Sequence, residues 1–205
     1  MEAIALEPVE ALTVTTLVDN VTDSLLPDQG PARRPSMAAS PRMPAPLLAG
    51  GTTDDALRAE HGFSALVTVT KEGRETRVLF GAGRTPDGLV ENMRRLDLSP
   101  GDIDIIVLSH GHWDGVTGMD GLVGRLGRTN LPVLIHPEFW TRRRLAFPGR
   151  DPVELPSTSK SALEGAGFEI VEQRLPSFLL DGSLLVRSEE RRVGKECRSR
   201  WSPYH

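Results

Sequence analysis

Apolar and polar positions alternate along this chain in short blocks, the pattern of strands interleaved with short helices. Residues 12–18 (Leu-Thr-Val-Thr-Thr-Leu-Val) are rich in β-branched side chains and predict a first strand, closed by a polar turn from Asp19 to Asp23. Residues 63–70 and 75–80, joined by Lys71-Glu-Gly-Arg74, predict a β-hairpin. Gly81-Ala-Gly83 reads as a tight turn. Thr85-Pro86-Asp87 then has the order of a helix start: a hydroxyl cap, proline at the first position and an acid near the positive end. Leu89, Met93 and Leu96 give that helix one apolar face, and Ser99-Pro-Gly-Asp102 ends it. A β-branched apolar run from Ile103 predicts a buried strand. Beyond it come a short helix (119–126), a strand (132–135, ending at His136), a helix from about Pro137, a helix (159–165) and a strand (168–171). No repeat of solenoid period is present. The fold class that follows is α/β, a mixed layered domain with strands packed under helices.

One segment resists this scheme. Residues 28–51 carry Pro31, Pro35, Pro41, Pro44 and Pro46 and end at Gly50-Gly51. The segment is too long for a plain connector, and a lid over a site and a disordered stretch are equally compatible with it.

The candidate chemistry sits just past the strand that starts at Ile103. Ser109-His110-Gly-His112-Trp-Asp114 places two imidazoles and a carboxylate at alternate positions. Alternate residues of an extended segment point the same way, so the three side chains can converge. Neutral imidazole with carboxylate is the ligand set of a zinc-like hydrolytic ion. The plain alternative is a polar loop whose histidines face solvent.

Composition changes the picture at the C-terminus. Residues 187–205 are charged, lack apolar periodicity and hold the only Cys and the only Tyr of the chain. They resemble the in-frame translation of a sequencing-adapter oligonucleotide, so they are set aside as a non-native tail and the remainder is expected to be a fragment. The other reading is a basic tail for an acidic partner. Removing the tail's six basic and three acidic residues from the 24 and 28 of the whole chain leaves a formal charge of −7. That balance argues against general nucleic-acid or anionic-membrane affinity. The remaining 186 residues contain no cysteine, which excludes disulfides and thiolate chemistry. No apolar run approaches membrane-spanning length and no signal-peptide pattern opens the chain, so a cytoplasmic location is expected.

Ser109-His110-Gly-His112-Trp-Asp114, followed by Thr117-Gly118, resembles the HxHxDH motif of the metallo-β-lactamase-fold hydrolases. Val18-Asp19-Asn20 with Asp23, Glu60-His61-Gly62-Phe63-Ser64, Thr85-Pro86-Asp87 and Leu134-Ile135-His136-Pro137 extend the likeness. They point to the branch that includes 7,8-dihydropterin-6-methyl-4-(β-D-ribofuranosyl)aminobenzene-5′-phosphate synthase. The resemblance implies an αββα sandwich, of which residues 1–186 hold mainly the first half, the second being truncated. It implies one or two ions of Zn2+, or another divalent metal such as Mn2+ or Fe2+, with His110 and His112 as ligands of the first and Asp114 of the second. Asp114 would also be catalytic, orienting the attacking water. A small-molecule substrate carrying an ester or phosphoester is expected, with neither nucleic acid nor membrane as partner.

Two positions depart from the family. Gly115 stands where the family has histidine, and Gly81 where it usually has aspartate. With two imidazoles and one carboxylate the chain is expected to hold one ion loosely and to be inactive by itself. The alternative is a degenerate, non-catalytic member or binding fragment. Other residues carry weaker expectations. His136 and His61 are expected to be a strand-end and a cleft-lining loop residue. Arg142-Arg143-Arg144 is either a phosphate contact or a solvated face. Trp113 should stiffen the motif loop, and Asp19 and Asp23 should satisfy turn amides. A missing second sheet would leave apolar area exposed on the first.

Overall fold

The computed structural model describes residues 4–38, 40–128 and 130–187. The proposed non-native tail from residue 188 onward lies outside the described residues. The chain divides into two compact units, Val9–Gln173 and residues 1–8 with 174–205.

In the larger unit the strands are β1 (Ala11–Val18), β2 (Arg42–Pro44), β3 (Thr52–Asp54), β4 (Ser64–Lys71), β5 (Arg74–Phe80), β6 (Ile105–Val107), β7 (Pro132–Ile135), β8 (Arg144–Leu145), β9 (Val153–Glu154) and β10 (Glu169–Glu172). The helices are α1 (Gly88–Arg95), α2 (Met119–Leu126) and α3 (Lys160–Gly165). Six strands form one sheet in the order β1-β4-β5-β6-β7-β10. The first three are antiparallel and the remainder parallel; a two-residue turn joins β4 to β5, whereas helix-bearing crossovers join the parallel strands. The expected hairpin is β4–β5. Its two-residue turn, Glu72 (φ 53°) and Gly73 (φ 72°), has the positive φ pair that matches strand twist.

The cross-strand partners sort the sheet into two faces. Leu66, Leu79, Ile106, Val133 and Ile135 lie on one, in a single core with Leu89 and Met93 of α1, Met119 and Leu122 of α2, and Leu163 of α3. A register irregularity between Thr16 and Val18 bends the end of β1, and Leu17 and Val18 are both buried there. The other face carries Leu12, Val14, Val69, Val78, Phe80 and Val107. Apolar exposure on it is greatest at Leu12 and Val14, each 59% exposed, whereas Val69 and Val78 are buried.

Three expectations need correction. Helix α1 begins at Gly88 rather than at Thr85-Pro86. The Thr85 hydroxyl still caps, because its Oγ1 accepts from the Gly88 amide at 3.1 Å. The helix expected after His136 is only a 3₁₀ turn, Pro137–Trp140. Within residues 28–51, β2 pairs with β3, which begins just past the segment, and Asp55 beyond them pairs with Arg94 and Arg95 of α1. The segment is therefore partly ordered by strand pairing. The smaller unit contains an antiparallel hairpin, β11 (Ser177–Leu179) with β12 (Leu184–Val186), and the Glu7 amide donates to Gly182 O at 3.1 Å.

Candidate metal centre

Strand β6 stops at Val107, so the motif residues lie on the loop that follows. His112 is extended (φ −75°, ψ 143°), but residues 113–115 close a 3₁₀ turn. Asp114 therefore reaches the histidines through a turn rather than through strand alternation, correcting the mechanism of convergence expected from spacing. The convergence itself is present: one ligand atom each from His110, His112 and Asp114 lies within 4.8 Å of the others.

Each of the three side chains has a polar neighbour. His110 Nδ1 is 2.8 Å from Ser109 Oγ, which orients the ring and turns Nε2 toward His112 Nδ1 at 3.0 Å. Asp114 Oδ2 lies 3.2 Å from His61 Nε2, while Asp114 Oδ1 is buried and has no hydrogen-bond partner. A buried carboxylate oxygen left in this state costs free energy unless something binds it. Two imidazole nitrogens near this carboxylate fit a divalent cation.

The loop is braced from two directions. Ala82 donates to Gly115 O at 2.9 Å, and the Thr117 amide and hydroxyl both donate to Trp113 O. Arg143 donates to Gly111 O, Phe139 O and Thr141 O, stitching the motif loop to the 3₁₀ turn after β7. That stitch demands glycine between the two histidines, because a Cβ at Gly111 would lie 2.1 Å from Phe139 O. Trp113 packs under the Arg84 guanidinium, 5.6 Å from the ring centre.

Several expected residues take structural places. His136 Nδ1 accepts from the Glu138 amide and caps the 3₁₀ turn. Arg142 and Arg144 pair with Glu154, whose carboxyl is held below its ordinary range chiefly by the Arg142 hydrogen bond. Asp19 and Asp23 accept from the Asn20 and Leu25 amides, as turn residues do. Gly81 is not a simple loss of aspartate. Its φ is +68°, and a Cβ there would meet Phe63 O at 2.5 Å, so glycine is what this turn requires.

Two anchoring roles escaped the sequence reading. Glu60 accepts from the Arg84 and Thr85 amides and from the Thr85 hydroxyl, fastening the loop that carries His61. Asn92, 2% exposed, binds Leu17 O and Arg58 O and accepts from the Arg58 amide. An asparagine between Leu89 and Met93 on an apolar helix face was the available signal.

Residues 57–184 match the profile of the metallo-beta-lactamase superfamily. The chain belongs to the metallo-beta-lactamase superfamily. Among curated proteins it is 30% identical over 129 residues to 7,8-dihydropterin-6-methyl-4-(beta-D-ribofuranosyl)-aminobenzene-5'-phosphate synthase of Methanocaldococcus jannaschii, covering 60% of this chain and 42% of that protein. It is 40% identical over 141 residues to an uncharacterized protein of the same organism, covering 68% and 50%. The chain thus spans about half the length of the curated relatives it matches. Solved structures similar to this superfamily member include an N-acyl homoserine lactone hydrolase (13% identity, 88% of this chain and 64% of that one, TM-score 0.42) and the Rm3 metallo-beta-lactamase (19%, 63% and 45%, TM-score 0.39). Among the described residues no helix is long and apolar enough to cross a membrane.

Proposed function

We propose that this superfamily member is a metal-dependent hydrolase acting on an ester or phosphoester of a small molecule, with His110, His112 and Asp114 holding Zn2+ or a similar divalent ion. The observation that supports the reading is the approach of the two imidazoles to a carboxylate whose Oδ1 is buried without a partner. A divalent ion bound there supplies Lewis acidity and lowers the pKa of water toward neutrality. His110, oriented by Ser109, presents Nε2, and His112 presents Nδ1. The Asp114 carboxylate would orient the attacking water and take its proton.

Gly115 favours a second reading, a non-catalytic member that binds metal without turnover. One experiment separates them. The chain is loaded with zinc, freed of excess metal, and assayed on p-nitrophenyl acetate and bis(p-nitrophenyl) phosphate. Slow, chelator-sensitive turnover that His110→Ala and His112→Ala abolish supports the hydrolase. Retained zinc with turnover appearing only in Gly115→His supports a hydrolase site broken at position 115, retained zinc with no turnover in either chain supports the non-catalytic member, and failure to retain zinc overturns both.

A further inference from the structure

We propose that His61 is a metal ligand that pairs with Asp114 and supplies the imidazole missing at Gly115. The inference rests on the metal-site reading above and assigns a residue outside the motif to it. His61 Nε2 stands 3.2 Å from Asp114 Oδ2. Two ligand atoms on one tetrahedral ion are separated by about 3.3 Å when each bond is about 2.0 Å. The spacing suits a ligand pair as well as a hydrogen bond, as does the 3.0 Å between His110 Nε2 and His112 Nδ1.

The backbone sets this position. Glu60 is tied to the 84–85 turn on one side of His61. On the other side Gly62 lies against the motif loop, where a Cβ would come 2.4 Å from Asp114 O. Asn92 pins Arg58 three residues earlier. The His61 side chain itself is 66% exposed, and an exposed imidazole–carboxylate pair contributes little to folding. A loop so firmly fastened to deliver an exposed imidazole onto a carboxylate is accounted for by ligation. Position 115 is compatible with the exchange: nothing lies within 4 Å of a Cβ built there, so no other side chain fills the space.

The test titrates zinc alone into the full 205-residue chain by calorimetry and counts bound zinc after gel filtration. His61→Ala, His110→Ala and His61→Ala/Gly115→His are compared with the parent, with circular dichroism verifying the fold of each. The expected result is that His61→Ala loses one bound zinc or weakens binding at least about 100-fold, beyond the range seen for groups that only orient a ligand. The added histidine at 115 is expected to restore it. Binding by His61→Ala equal to the parent, with His110→Ala still abolishing it, overturns the role of His61 and leaves the metal site standing. A parent chain that binds no zinc overturns both.

Discussion

Replacing Asn92 with alanine isolates the joint that holds the His61 loop to the core. The asparagine is 2% exposed and makes three hydrogen bonds, to Leu17 O at 2.8 Å, to Arg58 O at 2.9 Å and from the Arg58 amide at 2.9 Å. Alanine leaves two carbonyls and one amide without these partners. At about 1 kcal/mol for each bond the loss is about 3 kcal/mol, before any contribution from the cavity. For a unit the size of Val9–Gln173, that corresponds to a fall in Tm of about 6–12 °C. Urea unfolding followed by tryptophan fluorescence, with scanning calorimetry beside it, measures the change. The m-value should stay constant, because the surface exposed on unfolding is the same. Hydrogen exchange at Glu60 and His61 should rise more than at β4 or β5, since the loop loses its anchor before the sheet does. A stability loss below about 1 kcal/mol, or exchange that rises uniformly, would show that the loop is held by other contacts and refute the reasoning.

Two glycines of α2 should respond with opposite signs to the same substitution. A Cβ at Gly121 would lie 1.9 Å from Pro86 O, so Gly121→Ala should destabilise by about 1–3 kcal/mol. Gly124 is exposed with nothing within 4 Å, and Gly124→Ala should stabilise by roughly 0.5–1 kcal/mol. Equal effects in thermal unfolding would contradict the close approach of α2 to the 85–87 turn. The Asp55 carboxyl is held below its ordinary value of 3.8, first by the Arg94 hydrogen bond and then, against burial, by Arg95. A lowered folded-state value stabilises above the unfolded value and is lost as pH falls through the folded one. Asp55→Asn should therefore cost roughly 2 kcal/mol at pH 6, and the gap to the parent should close as pH drops below about 4. A gap unchanged at pH 3 would assign the loss to shape rather than charge.

Much of the sheet was legible because its signals are local. The β-branched run of residues 12–18 and the Glu72-Gly73 turn between two apolar strands specify their conformations through nearest neighbours, and β1, β4 and β5 formed where they pointed. Helix starts were less legible. Thr85 caps from three residues before α1, and Pro137 begins only a 3₁₀ turn, because each end is settled by what it packs against. The motif histidines and Asp114 were readable from spacing, though the reason offered for their convergence was replaced by a loop that turns at residues 113–115.

The chain alone thus determined the candidate imidazole and carboxylate group at 110, 112 and 114, the main strands and helices of the central layer, and the missing side chain at 115. Each of these depends on residue identity or on interactions a few positions apart. Tertiary structure decided that His61, 53 positions before Asp114, lies beside it, that Gly81 is a steric necessity, and that Arg143 clamps three carbonyls. Those outcomes follow from which backbones come within van der Waals distance once the sheet has formed, and no local pattern encodes such approaches.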